Sequence, residues 1–427
     1  MIMSTSTPSK LRVVSYNVLS SKLARPSHFT KTNPDHLEAT YRLPLILSKL
    51  EHEMGRAFGG TGAKEMSVPP PTIFCLQEID YTFTSALHTF FANKGYAFVT
   101  GLYGKSFNGY MGVGIAYPLQ EFETIKVDVC RLSDEREGGW PRIPEDTSEE
   151  GVLKKLSNGL FKNVKSLTMS TLKTATELLQ NYVGKYLRTD FRLLLGMPTE
   201  SPIDPWDMSK NRFNILLTVA LRFRTDGKNN SSNVFAISNY HMPCAFYCPP
   251  VMNIHIDLAA RRAQQLATEI SNILNGKDKS DEVNGDDTMP HILAGDFNIL
   301  PDSAHYKLVT TGMLDKSDPT YPPMKHGISW IPTCLPMDSA YAMYCGEEPS
   351  FTNYAHLKEE DEPFIGTLDY IFLSQKMITR NDNAISCKEW IVCDAVRLPE
   401  RDVSGGPFPN HCEPSDHLLI ATDLELQ

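Results

Sequence analysis

The sequence lacks any uninterrupted apolar stretch near the roughly 20 residues that a transmembrane helix requires. Residues 1–10 are rich in Ser and Thr and have no apolar core of a signal peptide, so we expect them to be disordered. A glycine-rich phosphate loop with its Lys, a Gly-x-Ser-x-Gly turn and a His-Glu-x-x-His helix are also missing. These absences predict a protein without a membrane span and give little support to a serine or cysteine nucleophile.

The cysteine count and the net charge narrow the expected compartment and the expected substrates. The 427 residues include nine cysteines, an odd number, and several lie in apolar runs where Cys behaves as a small hydrophobic side chain. This pattern favours a reducing compartment, the cytoplasm or also the nucleus. The net charge is −10, which disfavours long, sequence-independent tracking of nucleic acid. A compact pocket for one or two nucleotides stays open, because a bound metal supplies local positive charge.

Hydrophobic periodicity predicts one α/β domain over residues 11–427. Apolar residues alternate over residues 213–224, which predicts a strand, and residues 234–240 form its expected hairpin partner. Helical spacing predicts helices over residues 37–54, 81–93 and 257–274. Strands that alternate with helices along the whole chain are typical of an α/β core.

Residues 131–210 differ in character and are predicted to be a helical, basic insertion. Between Gly151 and Arg192 there are eight basic and two acidic residues, a local charge of about +6 (8 − 2) in an acidic protein. Leucines and a valine recur there at helical spacing. Three interpretations stay open: a solvated amphipathic cap, a substrate lid, or a contact to a polyanion or an anionic membrane surface over residues 151–192.

The most informative feature is a set of polar side chains, each at the end of an apolar run. They are Asn17, Glu78, His241, Asp296 with Asn298, Asp369, and Asp416 with His417. A strand end is where a buried sheet can hold polar side chains rigidly at the mouth of a pocket. We therefore expect one divalent-metal hydrolytic site assembled from the whole chain.

Each of these residue types suits a role in such a site. A carboxylate such as Glu78 is costly to bury unpaired, and a hard cation such as Mg²⁺ would neutralise it. The alternative is that Glu78 stabilises the N-terminus of the following helix. Asn17 offers a neutral oxygen to a metal or a phosphate, or caps a turn. Asp296 and Asn298, two residues apart on an extended chain, would point the same way and converge on a water.

The histidines need partners. Asp369 interrupts an apolar strand and is the expected partner that fixes the tautomer or charge of His417. His241 precedes Cys244 and Cys248, but no fourth zinc ligand follows at standard spacing. A histidine that contacts a phosphate is therefore the better functional interpretation of His241, and a purely structural histidine stays open as the alternative.

Taken in chain order, six motifs resemble the endonuclease/exonuclease/phosphatase superfamily. They are Ser15-Tyr16-Asn17, Leu76-Gln77-Glu78, Asn239-Tyr240-His241, Gly295-Asp296-Phe297-Asn298, Leu368-Asp369-Tyr370 and Ser415-Asp416-His417. Phe351-Thr352-Asn353-Tyr354 and Leu300-Pro301-Asp302-Ser303 add a resemblance to the branch of carbon-catabolite-repressor-type deadenylases, nocturnin, Angel proteins and 2′,5′-phosphodiesterase.

The resemblance implies a fold and a set of roles. It implies a four-layer α/β sandwich, two packed mixed β-sheets flanked by helices, and Mg²⁺-dependent hydrolysis in which Mn²⁺ substitutes. The implied metal residues are Glu78, Asn17 and Asp416, and the implied catalytic residues are His241, Asp296, Asn298, Asp369 and His417. Asn353 and Phe364 are the implied substrate-binding residues, Phe364 as a base-stacking ring or else a loop residue packed on the core.

Three functions are expected in decreasing order. The first is a deadenylase-like 3′ exoribonuclease or phosphodiesterase acting on RNA. The second is a hydrolase of a small or lipid phosphoester, such as a nucleotide cofactor, a phosphoinositide or a sphingomyelin-type lipid, although the Trp-Cys-Asp-Arg signature of inositol phosphatases is absent. The third is a non-catalytic phosphate-binding module, which the complete set of motifs disfavours. The sequence does not define the oligomeric state.

Overall fold

The computed structural model describes residues 9–57, 69–142, 203–224, 233–276, 289–357, 362–375, 377–381, 384–400 and 405–427. Most of the predicted insertion, residues 143–202, lies outside the described residues, as do residues 1–8. The predictions of a disordered start and of a basic helical cap, lid or polyanion contact therefore stay predictions.

The described secondary structure alternates strands with helices. The strands are β1 Ser9–Asn17, β2 Thr72–Ile79, β3 Tyr96–Leu102, β4 Gly112–Pro118, β5 Phe122–Arg131, β6 Ile215–Phe223, β7 Val234–His241, β8 His291–Asp296, β9 Met337–Ser339, β10 Asn353–Ala355, β11 Phe364–Gly366, β12 Asp369–Ser374, β13 Met377–Asn381, β14 Ala384–Lys388, β15 Trp390–Ala395 and β16 Ile420–Leu426. The α-helices are α1 Pro34–Leu37, α2 Ala39–Gly55, α3 Tyr81–Asn93, α4 Pro205–Lys210, α5 Pro249–Leu274, α6 Ala304–Thr311 and α7 Ala340–Cys345.

Two six-stranded sheets form the centre. The first has the order β15-β16-β1-β2-β4-β3 and the second the order β5-β6-β7-β8-β12-β9. Within the first sheet β1 and β2 are parallel and the other neighbours are antiparallel, and in the second sheet β7 and β8 are the parallel pair. Both sheets are therefore mixed, as predicted.

Apolar layers hold the sheets and helices together. Between the sheets, side chains such as Val13 and Ile115 pack in one cluster with Val219 and Ile237. Helices α2 and α3 cover the outer face of the first sheet, and α5 and α6 cover that of the second. This order of helix, sheet, sheet and helix confirms the predicted four-layer α/β sandwich.

The element predictions were accurate in type and less so in extent. The residues Leu217, Val219 and Leu221 do share the face toward the first sheet, and residues 81–93 form a helix with the predicted bounds. The long helix α5 begins eight residues before the predicted start, at Pro249, because its first two turns are buried and bring their own apolar side chains to the core. No helix in the described part of the chain is long and apolar enough to cross a membrane.

The topology brings the predicted polar residues to one edge. Parallel β1 and β2 end there, as do parallel β7 and β8, while antiparallel β12 starts there, with Asp369 opposite Asp296. The segment 415–417 reaches the same edge, since it precedes β16, which runs antiparallel to β1. The sheet pairing thus positions the site.

A buried ion pair fixes the first and last strands at the opposite side of this arrangement. The guanidinium of Arg12 donates to both carboxylate oxygens of Asp423 at 2.6 and 2.9 Å, and to the backbone oxygens of Glu53, Arg56 and Ala57 at 2.8–2.9 Å. Both side chains are fully buried. All the donors of Arg12 are occupied, so the pair joins β1, β16 and the end of α2.

We expect Arg12→Met to destabilise the fold by about 3–5 kcal/mol, because it removes the two hydrogen bonds that the guanidinium donates to the buried Asp423 carboxylate. Lys10→Met is the matched control: Lys10 lies on the same strand pair, half-exposed, 3.9 Å from Glu425, and should cost about 1 kcal/mol or less. Urea denaturation monitored by tryptophan fluorescence measures both. Equal losses in the free energy of unfolding for the two variants would contradict a stabilising role of the buried Arg12–Asp423 pair.

Candidate active site

Glu78 owes its position to an irregularity in β2. The pairing of β2 with β4 shifts between Gln77 and Ile79, and Glu78 adopts a left-handed backbone conformation with φ of +57°. The bulge turns this carboxylate out of the ladder and into the pocket edge. There its Oε2 accepts the backbone N–H of Ser20 at 2.9 Å.

Asn17 joins the carboxylates of the two sheets. Its Nδ2 donates to Glu78 Oε1 at 3.1 Å and to Asp296 Oδ2 at 3.0 Å. Its Oδ1 accepts the N–H of Leu19 at 2.9 Å, which fixes the orientation of the amide. The predicted role differs here: Asn17 presents its amide N–H groups, and not an oxygen, to the place where a metal was expected.

Asp296 lies at the centre of the cluster. Its Oδ2 is 3.5 Å from Nε2 of His241 and 3.7 Å from Nε2 of His417. Parallel pairing sets His241 opposite Asp296, and the preceding pair is Tyr240 and Gly295. Gly295 has φ of +151°, and a Cβ there would stand 1.8 Å from the Tyr240 oxygen, so only glycine allows this approach.

Asn298 reaches the cluster by a different route from the predicted one. The expected extended chain from Asp296 to Asn298 is wrong, because Asn298 has φ of +52°. Its N–H donates to Asp296 Oδ1 at 3.0 Å and its Nδ2 donates to the oxygen of Met242 at 3.0 Å. This tight turn orients Asp296 and ties it to the segment after His241.

The structure places Asp369 against His417. Nδ1 of His417 is 2.8 Å from Asp369 Oδ2, which also accepts the hydroxyl of Thr352 at 2.6 Å. Burial acts to lower the pKa of His417, but Asp369, Asp296 and Asp416 raise it well above the ordinary value. Burial raises the pKa of Asp369 while His417 lowers it. The pair therefore favours a protonated His417 with Nε2–H directed toward Asp296.

His241 has a different partner, which the sequence did not reveal. Its Nδ1 lies 3.1 Å from the hydroxyl of Tyr103, a residue just after β3. Burial, followed by Glu78 and Asp296, raises the pKa of Tyr103 well above its usual value, so the phenol keeps its proton. In the ring tautomer whose proton lies on Nε2, the nitrogen that faces the carboxylates, Nδ1 accepts from Tyr103.

The remaining predicted residues lie around this centre. Asp416 Oδ2 is 3.4 Å from Nδ2 of buried Asn353, the first residue of β10. The prediction that Asp416-His417 opens the last strand is wrong, because β16 begins at Ile420. Phe364 is 36% exposed, and its ring centroid lies 6.5 Å from that of exposed Phe246. Phe364 is therefore not packed into the core.

Other supporting residues were also missed. Arg42 is fully buried, and its guanidinium donates to the backbone oxygens of Leu19 at 2.7 Å and of Val18 and Pro414, which joins the segments on both sides of the site. Asn214 Nδ2 donates to the oxygen of His241 at 2.8 Å. Tyr103 follows a strand end, so the same criterion that found His241 would have found it; Arg42 lies inside a helix and gave no such signal.

The donor set fits a divalent cation. Ligand atoms of Asp296, Asp369 and His417 lie within 4.8 Å of one another, all buried. Because His417 is already hydrogen-bonded to Asp369, Glu78 and Asp296 are the stronger pair of oxygen ligands. Their carboxylates converge on the neutral amide of Asn17, and a hard cation would stabilise two carboxylates in this arrangement. Asp369 Oδ1, moreover, is buried without a partner among the described residues.

Zinc bound through the cysteines is not supported. Among the described residues, the group of side chains that could hold a metal ion is Asp296, Asp369 and His417, and it includes neither Cys244 nor Cys248.

Comparison with known protein families identifies the family of this chain. The endonuclease/exonuclease/phosphatase family matches residues 14–417. The chain therefore belongs to this family, whose enzymes hydrolyse phosphate esters.

Two curated proteins are similar in sequence to this chain. Carbon catabolite repressor protein 4 homolog 4 of Arabidopsis thaliana is 32% identical over 138 residues, 32% of this chain and 27% of that protein. The CCR4-Not complex 3′-5′-exoribonuclease subunit Ccr4 of Aspergillus niger is 24% identical over 437 residues, 99% of this chain and 53% of that protein. The chain spans about half or less of the length of these two relatives.

A solved structure shows the same fold. The structure of ANGEL2, a 2′,3′-cyclic phosphatase, in complex with adenosine-2′,3′-vanadate superimposes with a TM-score of 0.56 at 15% identity, covering 98% of this chain and 96% of that one.

Removing only the hydroxyl of Tyr103 tests its role beside His241. We expect Tyr103→Phe to lower kcat roughly 2- to 10-fold with little change in KM, since one neutral hydrogen bond is lost. The ¹⁵N shifts of His241 should then report a mixture of ring tautomers. Tyr344→Phe, at an exposed ring on α7, is the control; an unchanged kcat and tautomer in Tyr103→Phe would refute the role.

The pH dependence tests the pair of Asp369 and His417. A raised pKa keeps His417 protonated at neutral pH, so activity that needs its charge is lost as the pH rises through that pKa. Asp369→Asn removes the negative charge and should move the alkaline limb of the kcat/KM profile to lower pH. An alkaline limb that stays in place would show that His417 is not the titrating group.

Proposed function

We propose that this protein is a divalent-metal-dependent phosphodiesterase that shortens RNA from its 3′ end, in the manner of a deadenylase. Magnesium is the proposed ion, with manganese as a substitute. The observation that carries the proposal is the convergence of the Nε2 atoms of His241 and His417 on one carboxylate oxygen of Asp296, at 3.5 and 3.7 Å. The names of the relatives, exoribonuclease subunits among them, support the choice of RNA.

The residues suit an in-line attack of water on a phosphate. Asp296 is the proposed base, and the N–H groups of Asn17 and Asn298 hold its two oxygens in place. Protonated His417 and the N–H donor of His241 would stabilise the charge that develops on the phosphate. Glu78, and Asp416 at its margin, would hold the ion, which when bound polarises the phosphate and offsets the negative charge of the site.

Two exposed rings support a nucleotide as the group next to the phosphate. Phe246 follows His241 by five residues, and Phe364 precedes Asp369 by five. Their centroids lie 6.5 Å apart, at an interplanar angle of 43°. Aromatic rings at the mouth of a site offer faces on which a base can stack, at roughly 1–3 kcal/mol per base. Buried Asn353 lies beside Asp416 and is the proposed polar contact to the substrate.

Cleavage of a 5′-labelled oligoadenylate with Mg²⁺, resolved on a gel, tests the proposal. Wild type should give a ladder that shortens from the 3′ end, and chelation should stop it. Asp296→Ala and Glu78→Gln should each lower the rate by about 10²-fold or more. Asp315→Asn changes an exposed carboxylate and serves as the control, with thermal unfolding run on every variant.

The outcomes separate the alternatives. RNA that stays intact, while a small phosphodiester is cleaved, would replace RNA by a small or lipid phosphoester. Cleavage that survives in both site variants would refute the assignment of Asp296 and Glu78. Inert wild type on all these substrates would favour a phosphate-binding module.

A further inference from the structure

Two segments of this acidic chain contain no Asp or Glu. The chain as a whole carries 51 acidic and 41 basic residues, yet residues 18–34 and 81–120 have only Lys, Arg and His as ionisable charged side chains. Negative charge is therefore unevenly distributed along the chain, and the net charge of −10 does not describe these segments.

The fold brings the two segments together. Nη2 of Arg25 donates to the oxygen of Phe107 at 3.3 Å. The N–H of Tyr81 donates to the oxygen of Gly109 at 3.0 Å, and Cγ of Lys22 lies 3.0 Å from where a Cβ of Gly109 would stand. These contacts place the backbone segments that carry the cationic and aromatic side chains next to each other.

We name this region the basic-aromatic surface. It consists of Lys22, Arg25, Tyr81, Lys105, Phe107 and Tyr110, all exposed. The three rings are 75%, 57% and 53% exposed, in the order Tyr81, Phe107 and Tyr110. A single exposed ring is ordinary, but three beside three cations form a patch of the kind that binds a ligand.

The surface is continuous with the active site. The backbone N–H of Ser20 donates to Glu78 Oε2 at 2.9 Å, and its hydroxyl donates to the oxygen of Asn108 at 3.0 Å. Lys22 therefore lies two residues from Ser20, which contacts Glu78, and Phe107 lies one residue from Asn108, which contacts Ser20. These hydrogen bonds join the surface to the edge of the active site.

We propose that the basic-aromatic surface binds the body of a single-stranded polynucleotide whose end lies in the active site. This rests on the proposed function and deepens it, because it makes the substrate a strand of several nucleotides. Rings that stack bases, interleaved with cations that meet phosphates, are what single-stranded nucleic acid requires. A peptide of Asp and Glu alone would engage the cations and leave the three exposed rings uncovered.

Two kinds of substitution test the surface, each with a matched control. Phe107→Ala with Tyr110→Ala removes stacking, and Tyr344→Ala, at an exposed ring on α7 (47% exposed), is its control. Lys22→Glu with Lys105→Glu reverses charge, and Lys316→Glu at an exposed site is its control. None of the altered surface residues belongs to the proposed catalytic set.

Binding is measured first, without catalysis. Fluorescence anisotropy with a labelled ten-nucleotide oligoadenylate, on protein carrying Glu78→Gln, should show roughly 5- to 100-fold weaker binding for the ring variant. The charge variant should also weaken binding and flatten its salt dependence. The controls should bind as the parent does. Undiminished binding by both variants, or binding of anionic vesicles in preference to RNA, would overturn the proposal.

Turnover then relates the surface to the site. In otherwise wild-type protein, the surface variants should raise KM for the ten-nucleotide strand at least tenfold and leave cleavage of a dinucleotide within twofold. Equal losses on both lengths would overturn the proposal. If wild type cleaves neither length, the proposed function fails, while the anisotropy result still decides whether the surface binds a strand.

Discussion

Three carboxylates, those of Glu78, Asp296 and Asp369, lie buried within one edge of the sandwich, and the surrounding structure compensates them. Burying ionised carboxylates is unfavourable unless hydrogen bonds or opposite charge offset the lost hydration. Here amide groups, a hydroxyl, backbone N–H groups and two histidines supply that compensation. The bulge in β2 and the left-handed turn at Asn298 are local distortions that deliver these donors, and a cation would complete the balance.

The two histidines are held in chemically different ways. A carboxylate partners His417, whereas a phenol partners His241. The carboxylate stabilises a positive imidazolium, while the phenol fixes a tautomer without adding charge. The two imidazole rings near Asp296 therefore differ in charge, although both belong to histidines. Such a difference suits a reaction in which charge develops on one side of the site.

The sequence predicted the components of the site better than their geometry. Polar residues after apolar runs identified His241, Asp296 and Asp369, because a strand end is a local pattern. The bulge at Glu78 depends on the register of β2 with β4, and the partnership of Tyr103 with His241 spans 138 residues; neither is written in a local window. The net charge likewise disfavoured long nucleic acids, and a sum over the chain does not show that residues 18–34 and 81–120 contain no acidic residue.

The pairing of β1 with β16 has a consequence for synthesis. Arg12 meets Asp423 across a separation of 411 residues, and the site itself draws on positions from Asn17 to His417. Such distant partners close the largest loops in the chain, which slows folding. Until residues 420–426 have emerged from the ribosome, β1 lacks its partner β16, although β2 can already pair with its other side. A product terminated before His417 would therefore lack both this strand pair and one of the two histidines beside Asp296.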